Sequence, residues 1–175
     1  MKSNKQLIFL VAIIAFSLIL RLVPHLPNFS PVMGVALFAG VYFNNKWFAP
    51  IIPLVILLIT DYFLGFYPEI AFVYIPFLIS VLFGFGLRKR LNPLNLLGFS
   101  LLSSVLFFII SNFGTFLLGN AYPQTMAGLM ECYALAIPFF RNALLGDIFF
   151  TFAIFGFYEL VKKGMPSLAV TNTNK

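Results

Sequence analysis

The sequence predicts an all-α integral membrane protein, built as a bundle of six transmembrane helices. Three observations point there. Of 175 residues, 61% are hydrophobic and only 9% are charged, whereas a soluble domain carries about a quarter charged residues. Mean hydropathy is +1.00. The apolar residues gather in long runs separated by short polar or proline-rich stretches.

The first run covers residues 7–20. Lys2 and Lys5 precede it as they would a signal peptide. No small-x-small cleavage site follows, however, and Arg21 stands where cleavage would fall, so the run reads as a span. The second, residues 32–43, is short and rich in small residues. A helix needs about 20 residues to cross a bilayer, so this one needs help from the adjoining proline-rich segment, or burial among its neighbours. Its Ala36 and Gly40, with Gly34 nearby, form a small-xxx-small pair that lets another helix approach closely.

The third span covers 49–66, with Pro50 and Pro53 at its entrance, where proline costs least. The fourth covers 70–87 and holds Pro76, a predicted kink. The fifth covers 96–118. A long connection, 119–138, follows, with room for a short helix that caps a cavity or anchors at the membrane surface. The sixth span covers 139–161, with Pro138 suited to its first turn. Residues 1–165 thus form one transmembrane domain, and 166–175 a polar tail expected to be disordered.

Charge sets the orientation. With the N-terminus inside and six crossings, Lys2, Lys5, Lys46, Arg88, Lys89, Arg90, Lys162, Lys163 and Lys175 all fall on the cytoplasmic side, and only Arg21 and Arg141 on the other. This positive-inside bias places both termini in the cytoplasm. The net charge of +6 therefore reports topology, not a nucleic-acid partner. The single cysteine, Cys132, excludes an intrachain disulfide. No phosphate loop, dinucleotide fingerprint, CxxC or HExxH motif is present, and no cofactor or metal is expected.

The non-basic polar residues then collect on the outer face. His25, Asn28 and Ser30 lie in the first outer loop, Tyr67 and Glu69 in the second, and Tyr122, Gln124, Glu131, Cys132 and Tyr133 in the third. Within the spans stand Asp61, Asn112, Arg141, Asn142 and Asp147. A charge at the bilayer centre costs about 2.5–3.5 kcal/mol even on the lenient scale. Such groups pair or line a pathway. Arg141 and Asp147 are six residues apart, on different helix faces, so each needs a partner elsewhere. Asp61 for Arg141 and Asn112 for Asp147 are the candidates. Arg21 reads as a helix-end arginine that snorkels to the surface, and Cys132 as a small buried residue.

The stretches PNFSPVMGVALFAGVYF and DYFLG, with SNFGTFLLG and GLMECYALAIPFFRNALLGDIFF, carry a resemblance. Together they resemble a bacterial family of small six-helix transport proteins of unknown function. More distantly, that family resembles the substrate-binding S components of energy-coupling factor (ECF) vitamin transporters. The resemblance implies a multi-pass protein of the bacterial cytoplasmic membrane that binds a small-molecule substrate under its outer loops. The solitary cobalamin-uptake type is the nearest look-alike. Its histidine and third-helix aspartate correspond to His25 and Asp61, but its cysteine has no counterpart in 66–74. Many S components dock on an energising transporter module through AxxxA on the first helix. Here Ala12 and Ala15 are three apart and that motif is missing, so a solitary mode, or a different partner, stays open.

The leading expectation is transport of a vitamin-like or corrinoid-like nutrient. His25, Asn28, Asp61, Asn112, Tyr122, Tyr133, Arg141, Asn142 and Asp147 are the candidate substrate-binding residues. The alternatives are a structural or assembly membrane protein without ligand, and an intramembrane enzyme. One histidine and one cysteine far apart form no recognised catalytic constellation.

Overall fold

A computed structural model describes residues 4–23, 26–43 and 45–164. His25, the tail 166–175, and Lys2 and Lys175 of the charge pattern lie outside them. The described residues form six α-helices and one 3₁₀ turn, with no strand. The helices are α1 Asn4–Leu22, α2 Val32–Tyr42, α3 Ile51–Leu64, α4 Ile70–Leu87, α5 Pro93–Leu118 and α6 Met126–Gly164, with the turn at Arg88–Arg90. Three of them, α4, α5 and α6, are long and apolar enough to cross a membrane. Large apolar side chains such as Leu82, Leu102, Ile109, Leu145 and Phe149 are exposed around the bundle, as suits a lipid-facing surface. The α1–α2, α3–α4 and α5–α6 connections share one end, called upper here, and the other connections share the lower end.

The second helix is the centre of the fold. Every residue from Val32 to Val41 is buried, and α2 packs against α3, α4, α5 and α6. That explains why it has no polar face and why it survives at 11 residues. A helix that meets no lipid need not match the bilayer. Its small residues are where its neighbours come closest. A Cβ on Gly40 would collide with the Val81 carbonyl oxygen and lie 2.7 Å from the Gly84 Cα, while one on Gly34 would lie 2.9 Å from the Thr151 backbone nitrogen. The small-xxx-small reading of this helix thus has its partners: Gly84 on α4 and Thr151 on α6.

The lower end of α2 is closed by Arg88. Its Nη2 donates to the carbonyls of Gly40 at 2.8 Å and Phe43 at 2.5 Å, occupying oxygens that a helix C-terminus leaves unpaired. Beside it the Tyr42 hydroxyl donates to Glu159 at 2.8 Å. Tyr42 also packs with Phe38, Phe155 and Tyr158. These contacts pin α2 to α4 and α6 at the bottom of the bundle.

One expectation is overturned. The 119–138 connection is far shorter than expected, because α6 begins at Met126 and runs unbroken for 39 residues, about 58 Å. Pro138 lies inside it, not in its first turn. The reason is packing. Gly128, Cys132 and Ala136 form the buried face of this upper part. Tyr133 donates to the Ile109 carbonyl at 2.6 Å, and Cys132 Sγ lies 3.5 Å from the Asn112 carbonyl. Docking along α5 continues the helix past a proline that removes one hydrogen bond. In α4, Pro76 is likewise accommodated, and the Ser80 hydroxyl donates to its carbonyl at 2.8 Å.

Candidate upper cavity

The short α2 leaves space above it. Eleven residues of helix measure about 16 Å, roughly half of a 30 Å hydrocarbon core. With its C-terminus fixed at the lower end, α2 starts deep inside the bundle. The chain must reach that start from the top of α1, and residues 26–31 descend to do so. Phe29 packs on Phe149 and Phe150 of α6, and a Cβ on Gly146 would lie 3.1 Å from the Phe29 Cα. Asn28 turns the chain with φ of 62°, a left-handed conformation that asparagine tolerates better than most residues.

Beside this descent lies a cavity of about 360 Å³ lined by Arg21, Asn28, Ser30, Met33, Leu64, Tyr67, Val73, Phe77, Phe107, Ala143 and Asp147. A second, of about 190 Å³, shares Asn28, Val73, Phe107 and Ala143 with it and extends to Ser111, Asn112 and Thr115. Together they form a largely apolar cleft with a few polar groups, the usual make-up of a small-molecule site. A third cavity, of about 170 Å³, lies at the lower end by Tyr42, Arg88, Glu159 and Lys162. There Glu159 already accepts from both Tyr42 and Lys162, so the carboxylate is engaged.

One polar wall of the upper cavity is an ion pair. Arg21 Nη2 lies 2.6 Å from Asp61 Oδ1. The other Asp61 oxygen accepts from Tyr74 at 2.8 Å and lies 3.5 Å from the Tyr67 hydroxyl. Asp61 is 1% exposed and the Arg21 side chain 16%. The group ties α1, α3, α4 and the α3–α4 connection at one point. Burial and the Asp61 carboxylate push the Tyr67 phenol up to about 12, so it stays a donor across the physiological range. Arg21 Nη1 is buried with no hydrogen-bond partner among the described residues.

The other polar wall is Asp147, 5% exposed on α6. Its Oδ2 accepts from the Ser104 hydroxyl at 2.6 Å, and Ser104 lies 3.1 Å from the Ser100 carbonyl. Ser100, Ser104 and Thr151 are fully buried, with the Ser100 hydroxyl 3.5 Å from that of Thr151. The face of α5 that meets α6 is therefore a hydroxyl ladder, which holds a carboxylate within the bundle.

Both sequence-derived pairings are corrected. Asp61 pairs with Arg21, not Arg141, and Asp147 with Ser104, not Asn112. The periodicity of one helix says which way a charge points but not what faces it. Arg21 is also not a snorkelling side chain, since its carboxylate partner turns it inward. Arg141 is exposed on α6. Asn112 donates to the Phe108 carbonyl of its own helix at 2.7 Å and lines the second cavity. Of the candidate binding residues, Asn28, Asn112 and Asp147 line the cleft, and Asp61 stands behind it through Arg21. Tyr122, Tyr133, Arg141 and Asn142 are not among its lining residues. Sequence reasoning missed Arg21 and Tyr67 as cavity residues, and the apolar Met33, Phe77 and Phe107 between the polar walls. An arginine and an aspartate at the same end of two apolar spans was the available signal for the first.

Comparison with curated proteins found no match, and neither did comparison with solved structures. A family profile, described as "Family of unknown function (DUF6580)", matches residues 1–168. The match takes in all six helices and every residue of the cleft, and on it the chain belongs to the DUF6580 family of unknown function.

Proposed function

We propose that this protein is a membrane transport protein of the bacterial cytoplasmic membrane. It captures a small nutrient in the upper cleft and carries it inward. The observation that carries this reading is the cavity of about 360 Å³ held between the Arg21–Asp61 pair and Asp147. Polar groups buried at membrane depth are costly unless they serve a structure or a pathway, and these line a space of ligand size. The positive-inside bias supports an outward-facing upper end with both termini in the cytoplasm. The likeness to ECF S components supports the same site, under the loops of the outer face. A vitamin-sized molecule fits this volume far better than a corrinoid does. Release inward then follows from helix rearrangement or tilting, alone or on an energising module.

A structural role without ligand is the second reading, favoured by the Ser104–Asp147 bond between α5 and α6. The two part on thermal stability of the purified protein with a vitamin panel. A ligand at 100 times its dissociation constant adds about 2.7 kcal/mol to the folded state, a clear rise in Tm. No rise with any compound favours the structural reading.

A further inference from the structure

We infer that the upper cavity is built for a small amphoteric molecule, with an anionic group at the Arg21 wall, a protonated amine at Asp147, and an apolar body against the contacting Phe77–Phe107 pair. This rests on the cleft being a ligand site, and adds the chemical class of the ligand. Arg21 lines the cavity, and its buried Nη1 has no hydrogen-bond partner among the described residues. An unpaired buried donor on a guanidinium is a costly state, which an incoming acceptor relieves once the side chain turns toward it. Ser30 and Met33, on either side of the α2 N-terminus, line the same cavity. That end of a helix carries partial positive charge and no intrahelical acceptors for its first N–H groups. Guanidinium and helix end thus favour an anion together.

The Asp147 wall has the opposite character. Only its Oδ2 has a hydrogen-bond partner among the described residues, the neutral Ser104 hydroxyl. Asp61 has a cation, but no cation lies within ion-pair distance of Asp147 among the described residues. A protonated amine entering the cavity supplies that cation. Between the walls Val73, Phe77, Phe107 and Ala143 offer only apolar surface. A purely anionic ligand leaves Asp147 without a cation. A purely cationic one leaves Nη1 unpaired.

The test is a thermal-shift and calorimetric titration of the purified full-length protein with vitamin-sized compounds in four charge classes: zwitterions, amines, carboxylates and neutral molecules. Two conservative variants accompany it. Arg21→Lys keeps a cation for Asp61 but loses the second donor face of the guanidinium, and Asp147→Asn keeps an acceptor for Ser104. The expected result is that zwitterions bind tightest, and that each variant weakens them about ten- to hundredfold, the loss of one charge-assisted contact. Binding of single-charge mates should be weakened by one variant only: carboxylates by Arg21→Lys, amines by Asp147→Asn. Tightest binding by neutral compounds, unchanged in both variants, overturns this assignment while leaving the transport reading intact. No binding by any class, with both variants as stable as the parent, overturns both.

Discussion

Asp61 shows what a single residue costs when its setting is known. It is buried, it accepts from Arg21 and Tyr74, and Tyr67 stands close by. Removing one partner of a buried pair leaves an uncompensated charge, at about 3–5 kcal/mol. Removing both leaves none. Arg21→Ala should therefore destabilise strongly in thermal unfolding, and Asp61→Ala should leave Arg21 equally stranded. The double variant should be clearly more stable than the sum of the single effects predicts, with a coupling of about 1–3 kcal/mol. Additive losses in the cycle would mean that the pair carries no net interaction. The pairing itself could not be read from sequence, because the partners lie 40 residues apart on helices whose relative rotation no local pattern sets. What was legible was the need: two opposite charges in apolar spans, each requiring something.

At the scale of elements, the apolar runs located five helices well and misjudged the sixth. Hydropathy reads lipid-facing length, and the segment before Pro138 is mixed in polarity, so it was expected as a connection. Its helicity comes from docking against α5, which is tertiary information. The second helix was legible for a different reason: shortness and small residues together imply enclosure. Its contact with α4 gives a sharp prediction. Gly40→Ala and Gly84→Ala each force a methyl into the facing backbone, where no flexible side chain can yield. Each should cost about 1–3 kcal/mol, the usual penalty of overpacking. Gly86→Ala and Gly156→Ala, whose added methyls meet nothing within 4 Å, should be neutral or slightly stabilising, since alanine favours helix. Chemical denaturation in detergent compares the four. Equal behaviour of the two pairs would contradict the close α2–α4 crossing.

For the whole molecule, the open question is how the bundle sits in the bilayer. α6 is about 58 Å long against a hydrocarbon core of about 30 Å, so much of it must lie outside. The lower end carries Lys162 and Lys163 in the last turn of α6 and Arg88–Arg90 beside it, residues that belong at an interface. The surplus helix therefore projects from the upper end, where it docks along α5. Three single-cysteine variants in a Cys132→Ala background test this with a membrane-impermeant maleimide. Met126, Leu145 and Lys89 are all exposed on the protein surface, so differences among them report the membrane and not burial within the fold. Met126→Cys should label in intact cells. Lys89→Cys should label only after permeabilisation. Leu145→Cys should resist in both states until the bilayer is dissolved, because lipid covers it. Labelling of Lys89→Cys but not Met126→Cys in intact cells would invert the molecule. The cleft would then face the cytoplasm, and a protein with that geometry would export or bind from within, not capture from outside.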